Sequence, residues 1–285
     1  MHEARTYKVQ LGIASARLKS AGIDRPGREA RHLMQHVCAF SAADLINRET
    51  DLMPKAETEA FFDLIERRSL GEPYEYLTGE AWFYGLRLAC SPATLIPRPD
   101  SEVAVDEALA RLPLGRVSKI ADLGTGTGCL LIALLKHEPR LTGVGIDLSA
   151  AAVEVAQQNV EAHGLSERAE MRAIGWRDWD GWGETDLIIS NPPYIRSDVI
   201  ETLDDSVRAY EPHTALDGGT SGLDAYREII ALAAKGMKPG AWIVFEIGFD
   251  QGAEVRSLLE SAGFSSISVA CDTGQRDRVV SARLP

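Results

Sequence analysis

The sequence predicts an α/β protein: a mostly parallel sheet flanked by helices, preceded by a small all-helical domain. Three observations carry this reading. After Lys119, strand-like apolar runs alternate with helical patterns, as crossover-connected parallel strands require. The last two runs, 265–271 and 278–284, are separated only by Asp272-Thr273-Gly274-Gln275-Arg276-Asp277. That connection is too short for a crossover helix, so these strands pair antiparallel. Before residue 75 the apolar residues fall instead at helical spacing.

The helical region runs from Thr6 to about Glu75, with Val9, Leu11, Ile13 and Leu18, then Leu33 and Val37, then Phe61, Phe62, Leu64 and Ile65 on successive faces. His32 and His36 stand at i, i+4 on one helix, but no third ligand accompanies them, so they read as helix-surface or interface residues. From Pro73 to Pro99 the character changes. Tyr74, Tyr76, Trp82, Phe83 and Tyr84, with Gly85 and alternating Leu86 and Leu88, suggest a β-hairpin. The expected division is a helical domain over 1–75, a hairpin linker over 76–97 and a catalytic domain over 98–285. Asp100 suits the N-cap of the helix that starts there, or a role at the cofactor site. Beyond it, strands are expected at 119–123, 142–147, 169–174, 186–190 and 241–247, ahead of the terminal antiparallel pair.

Two motifs carry chemistry. Lys119-Ile120-Ala121-Asp122-Leu123 runs into Gly124-Thr125-Gly126-Thr127-Gly128 and then an apolar helix start, Cys129-Leu130-Leu131. Strand, glycine turn and helix let a cofactor approach bare backbone. Asp147, nineteen positions past Gly128, ends the next strand, where a carboxylate can accept from ribose hydroxyls. The G-x-G-x-G spacing departs from the dinucleotide G-x-G-x-x-G and leaves no extra residue to cradle a pyrophosphate. A nucleoside cofactor without phosphates fits, and S-adenosylmethionine is the candidate. A mostly parallel sheet ending in an antiparallel hairpin is also the arrangement of the class I S-adenosylmethionine-dependent methyltransferase fold, with seven strands.

The second motif is Asn191-Pro192-Pro193-Tyr194, at the end of the apolar run Asp186-Leu187-Ile188-Ile189-Ser190. Neither proline has an N–H, and Pro192 forces Asn191 away from helical angles, so the tip is rigid and its carbonyls are free to accept. One amide oxygen and one backbone carbonyl can grip a planar –NH2, while Tyr194 offers an aromatic face. The combination suits methylation of an amide or an exocyclic amine.

Composition narrows the partners. With 285 residues, 45% hydrophobic and 25% charged, the chain is long enough for two domains. It contains no apolar run that would span a membrane and no signal-peptide pattern at its start, so a cytoplasmic protein is expected. Cys38, Cys90, Cys129 and Cys271 show no C-x-x-C spacing and are expected as core thiols, with no metal site. Of the net charge of −12, residues 1–75 contribute little, with 11 Lys/Arg against 12 Asp/Glu; residues 76–285 hold 19 against 30. An acidic catalytic half disfavours nucleic acid, whose affinity comes from phosphate contacts.

Together these segments resemble the family of protein-(glutamine-N5) methyltransferases that modify class-I peptide chain release factors. The resemblance extends to Arg98-Pro99-Asp100-Ser101-Glu102, Tyr210-Glu211-Pro212 with Ala215-Leu216, Phe245-Glu246-Ile247-Gly248 with Gln251, and the terminal Asp272 and Arg278-Val279. The family more often has threonine where this chain has Ser101, which keeps the hydroxyl. The resemblance implies that Gly124, Thr125, Gly126, Thr127 and Gly128 hold the methionine part of S-adenosylmethionine and Asp147 its ribose. It also implies that Trp176, or the nearby Trp179, flanks the adenine. Asn191 and Pro192 would bind the substrate amide beside the transferring methyl, with Pro193 and Tyr194 around it. The implied partner is a release factor, methylated at the glutamine of its Gly-Gly-Gln loop by a monomeric enzyme. The rivals are a nucleic-acid amino-methyltransferase, which shares the tetrapeptide, and a non-catalytic module that binds S-adenosylmethionine.

Overall fold

The computed structural model describes residues 5–112 and 115–285. It divides into two compact units: residues up to Gly79 together with Asp205–Tyr210, and Glu80–Asp204 together with Glu211–Pro285.

In the first unit, Thr6 caps α1 (Tyr7–Ser20) by accepting the Val9 N–H at 3.4 Å, and Tyr7, Ala14 and Leu18 face inward at helical spacing. α2 (Pro26–Cys38) begins on a proline, whose missing N–H would have no helical partner there anyway. α3 (Ala42–Asn47) begins on a Ser41–Asp44 capping box, and the Ser41 hydroxyl and N–H hold the Asp44 carboxyl below its usual range. α4 (Lys55–Ser69) and α5 (Tyr74–Thr78) follow, and Leu33, Phe61, Ile65 and Leu77 share one buried core. His32 meets Tyr74 edge-on with ring centroids 6.3 Å apart, while His36 is exposed. Among the described residues no group of three or more His, Cys, Asp or Glu side chains could hold a metal.

The hairpin of the second unit, β1 (Glu80–Phe83) and β2 (Leu86–Ala89), pairs Phe83 with Leu86 in antiparallel register. It is narrower than the stretch expected for it. α5 carries the helical pattern on to Thr78, and Gly79 ends it at φ +71°.

Then come α6 (Glu102–Arg111), β3 (Ser118–Leu123), α7 (Cys129–His137), β4 (Leu141–Asp147), α8 (Ala150–Ala162), β5 (Ala169–Ala173) and β6 (Leu187–Ser190). Two short helices, α9 (Ser197–Ile200) and α10 (Asp205–Arg208), precede α11 (Asp224–Gly236), β7 (Trp242–Glu246), α12 (Gly252–Ser261), β8 (Ser265–Cys271) and β9 (Asp277–Arg283). The seven-stranded sheet has the order β5-β4-β3-β6-β7-β9-β8, parallel through β7 and antiparallel in the last two pairings. Because parallel strands bury both faces, alternate residues serve two cores. Ala121, Ile188 and Phe245 pack with Tyr226 of α11 and Leu259 of α12, whereas Ile120, Ile189 and Val244 pack with Val105 of α6 and Leu134 of α7.

The strand order reverses between β3 and β6, which opens a crevice at their C-terminal ends, where open α/β sheets bind ligands.

Two expectations need correction. Asp100 is not a helix cap: it lies in a 3-10 turn, Pro99–Ser101, and α6 starts after it with no side-chain cap. Its carboxylate instead lies 3.2 Å from Nη2 of Arg278, whose neighbour on the other side is Asp272, also at 3.2 Å. The pull of β9 on the turn thus replaces local capping. The four cysteines are not uniformly core thiols either: Cys90 is buried, Cys38 and Cys129 are half-buried, and Cys271 is exposed at the end of the edge strand β8.

Candidate active site

The register of the sheet brings the sequence-predicted residues into one row. Leu123 of β3 pairs with Ile146 of β4 and Ser190 of β6. One residue further along, Gly124, Asp147 and Asn191 therefore end three adjacent strands at one level. Asp147 pairs with Ala173 of β5, and Trp176 follows three positions later. Across the crevice, Ser190 pairs with Phe245 of β7, so Glu246 is level with Asn191.

The glycine loop is fixed by its own backbone. Gly124 and Thr125 both donate to the Ile146 carbonyl at 2.9 Å, Gly128 donates to Thr125 at 2.8 Å, and Gly126 donates to Oδ2 of Asp147 at 3.0 Å. Gly124, Gly126 and Gly128 take φ of +73°, +54° and +80°, which side chains rarely adopt. Behind the loop, the Thr125 hydroxyl donates to Oδ2 of Asp122 at 2.7 Å. Asn159 of α8 donates to the Thr127 carbonyl at 2.9 Å and exchanges hydrogen bonds with the Ala89 backbone. Behind the loop, Oδ1 of Asp122 and Oγ1 of Thr127 are buried without a well-formed hydrogen bond among the described residues. A loop of bare backbone with orphaned polar atoms beneath it fits a nucleoside cofactor with a charged amino-acid end.

The two tryptophans separate. Trp179 is 3% exposed and packs against Trp182 with centroids 5.1 Å apart, so it is a core anchor. Trp176 is half-buried against the same cluster, and Leu148, 83% exposed, stands directly after Asp147.

At the tip, Ser190 donates to the Leu123 carbonyl at 2.6 Å, tying β6 to the strand that carries the glycine loop. Asn191 is half-buried and Pro192 buried. Neither the Asn191 side-chain amide nor the Pro192 carbonyl has a hydrogen-bond partner among the described residues. Beyond them the chain is pinned. Ile195 donates to Leu216 at 3.0 Å and accepts from Gly218 at 2.8 Å, while Gln251 donates to the carbonyls of Tyr194 at 3.0 Å and Gly222 at 3.2 Å. Gly222 has φ +72°, and a Cβ there would come within 2.5 Å of the Tyr194 carbonyl.

Reading by motif missed the acidic groups beneath the site. Asp122 is fully buried, and desolvation pushes its carboxyl up to about 7 against the Thr125 hydroxyl, which favours the anion. Glu246 is 2% exposed, and burial pushes it too up to about 7. The signal was a carboxylate inside an apolar strand run, Ile-Ala-Asp-Leu and Ile-Val-Phe-Glu-Ile.

Gly222→Ala is expected to lower stability by about 1–3 kcal/mol and to reduce turnover, read by thermal unfolding and initial rates. Because the native Asp122 pKa is raised, its contribution to stability is complete below the ordinary value of 3.8 and is lost as pH rises through about 7. Asp122→Asn is therefore expected to flatten the dependence of the thermal midpoint on pH across that window. The effect is worth a few kcal/mol, at about 1.4 kcal/mol per unit of displacement. An unchanged slope would show that Asp122 is not the group responsible.

Known proteins resemble this chain over most of its length. A family model described as PrmC N-terminal domain matches residues 11–79, and one described as Methyltransferase small domain matches residues 104–206. The release factor glutamine methyltransferase of Cereibacter sphaeroides is 41% identical over 276 residues, covering 96% of this chain and 97% of that protein. That of Agrobacterium fabrum is 40% identical over 282 residues, covering 98% and 97%. Among solved structures, the hMettl16 catalytic domain in complex with MAT2A 3'UTR hairpin 6 is similar in fold, with a TM-score of 0.56 at 16% identity over 84% of this chain and 86% of that one. By the extent and identity of these matches, the chain belongs to the family of release factor glutamine methyltransferases.

Proposed function

We propose that this chain transfers a methyl group from S-adenosylmethionine to the side-chain nitrogen N5 of a glutamine in class-I peptide chain release factors, the glutamine of their Gly-Gly-Gln loop. The observation that supports this most is the pair of unpartnered acceptors, Asn191 and Pro192, level with the glycine loop on the next strand. Bound S-adenosylmethionine supplies an electrophilic methyl on a sulfonium. In this reading Gly124, Thr125, Gly126, Thr127 and Gly128 hold its methionine end, Asp147 accepts from its ribose, and Trp176 covers the adenine.

An amide nitrogen is a poor nucleophile because its lone pair is delocalised into the carbonyl. Asn191 Oδ1 and the Pro192 carbonyl accept its two N–H bonds and favour a pyramidal nitrogen whose lone pair faces the methyl. Pro193 and Tyr194 wall the side chain. By holding the amide beside the bound methyl donor, these residues would contribute roughly 7–11 kcal/mol through proximity and orientation. Methylation would make the amide nitrogen strongly acidic, and its proton would pass to water as S-adenosylhomocysteine leaves. Because release factors work at the ribosome, the reaction belongs to the cytoplasm.

The tip would accept other primary amides, so selection has to come from a distance. In the proposed division of labour the helical domain over 1–75 and the hairpin linker over 76–97 bind the factor, and the domain over 98–285 does the chemistry. Remote contacts then contribute to transition-state binding without touching the reacting atoms.

Asn191→Ala is expected to lower kcat at least 100-fold while the Kd for S-adenosylmethionine changes by less than about three-fold, measured by steady-state kinetics and calorimetry. Equal losses in both would overturn the role given to Asn191. A short peptide carrying Gly-Gly-Gln is expected to be methylated with a kcat/KM several orders of magnitude below that of the whole factor, on the order of 10³ lower. Equal efficiencies would remove the helical domain from recognition.

A further inference from the structure

Glu246 has no part in the reaction as described, yet it is built into the wall of the site. It ends β7 level with Asn191, is 2% exposed, and has Oε1 3.5 Å from the Tyr194 hydroxyl. Its Oε2 accepts no well-formed hydrogen bond among the described residues, although the Ser101 hydroxyl is near enough to favour the anion. A buried carboxyl left half-satisfied at a strand end is expensive, and the fold offsets that expense with core packing on both faces. Hydrogen bonds of this kind are often long before substrate binds and tighten in the complex. The Tyr194 backbone is already clamped by Gln251 and the ring packs against the core, so the hydroxyl is what sets the ring's remaining freedom at the pocket side.

Resting on the reading of Asn191 to Tyr194 as the amide pocket, we propose that Glu246 is a positioning residue for methyl transfer. As an anion it accepts the Tyr194 O–H and fixes the ring that closes the pocket over the substrate amide. A protonated Glu246 gives up that charge-assisted bond and lets the ring move. No atom of Glu246 touches the reacting centre.

The groups facing this carboxyl define its titration. From the tip comes Tyr194; from α11 comes Tyr226, whose hydroxyl donates to the Glu246 carbonyl at 2.8 Å. From the turn before α6 come the Ser101 hydroxyl and Asp100, from β9 comes Arg278, and from the start of α7 comes Cys129. Burial is the largest influence and raises the carboxyl to about 7; Ser101 and Arg278 pull it down and Asp100 pushes it up. Turnover therefore rises with pH as Glu246 ionises around neutrality. Asp122 titrates in the same range but sits under the cofactor loop, so its effect falls on cofactor KM.

The test is kcat against pH for the full chain with whole release factor, at saturating S-adenosylmethionine, for wild type, Glu246→Gln, Tyr194→Phe and the double variant. Each single change is expected to lower kcat about ten-fold, to abolish the rise around neutral pH, and to leave the cofactor Kd unchanged. The double variant is expected to match the singles, because both remove one contact. Glu246→Asp, which keeps the charge, is expected to retain a pH-dependent limb. A wild-type profile in Glu246→Gln, or losses that multiply in the double variant, would overturn the proposal. Should Glu246→Gln fail to fold, Tyr194→Phe decides alone: a neutral limb that persists without the hydroxyl refutes the link. Tyr194→Ala separates the two layers of the argument. Full turnover in that variant would sink the pocket assignment itself, whereas a loss there with none in Glu246→Gln and Tyr194→Phe would sink only the role of Glu246.

Discussion

The hydrogen-bond ladder that ties β6 to β3 on one side and β7 on the other stops at Ser190, and the two acceptors immediately after it are left over. Asn191 is half-buried and Pro192 buried at the end of the strand. Here the proline after Asn191 prevents the strand from continuing, and the chain beyond is immobilised by Ile195, Gly218, Gly222 and Gln251. No protein donor among the described residues pairs with these acceptors. In the proposed reaction that rigidity is the source of catalysis: the dipoles are aimed before the substrate arrives and need no reorganisation.

Parallel pairing makes the rest of the site follow from that constraint. The bond from Ser190 to Leu123 fixes the tip relative to the glycine loop, and the loop is fixed relative to Asp147 through Gly126. Asn159 fastens the same loop to the hairpin strand β2. The proposed cofactor and amide sites are thus held by the same strand ends. Buried acids lie under both, Asp122 below the loop and Glu246 beside the tip, each with its carboxyl raised by burial.

What the sequence disclosed was whatever depends on local pattern. The strand runs, the short polar link between β8 and β9, the glycine loop and the proline-stiffened tip could be placed because each has its own chain-local signature. What it concealed depends on partners far away in the chain. Asn159 reads as an ordinary polar helix residue until Ala89 and Thr127 are seen against it, and Gln251 and Gly222 acquire meaning only through the Tyr194 carbonyl. Asp100 looked like a cap because capping is the local use of an aspartate; Arg278, far along the chain, takes it instead. Spacing to Asn191 favours Trp176 but leaves Trp179 close by, and burial separates them: Trp179 is a core anchor and Trp176 is half-buried.

The most direct measurement is peptide mass spectrometry of a class-I release factor incubated with this protein and S-adenosylmethionine. The account predicts one added methyl, located by fragmentation on the side-chain nitrogen of the Gly-Gly-Gln glutamine. A methyl on any other residue, or an unmodified factor beside methylated adenine or guanine in added RNA, would contradict it.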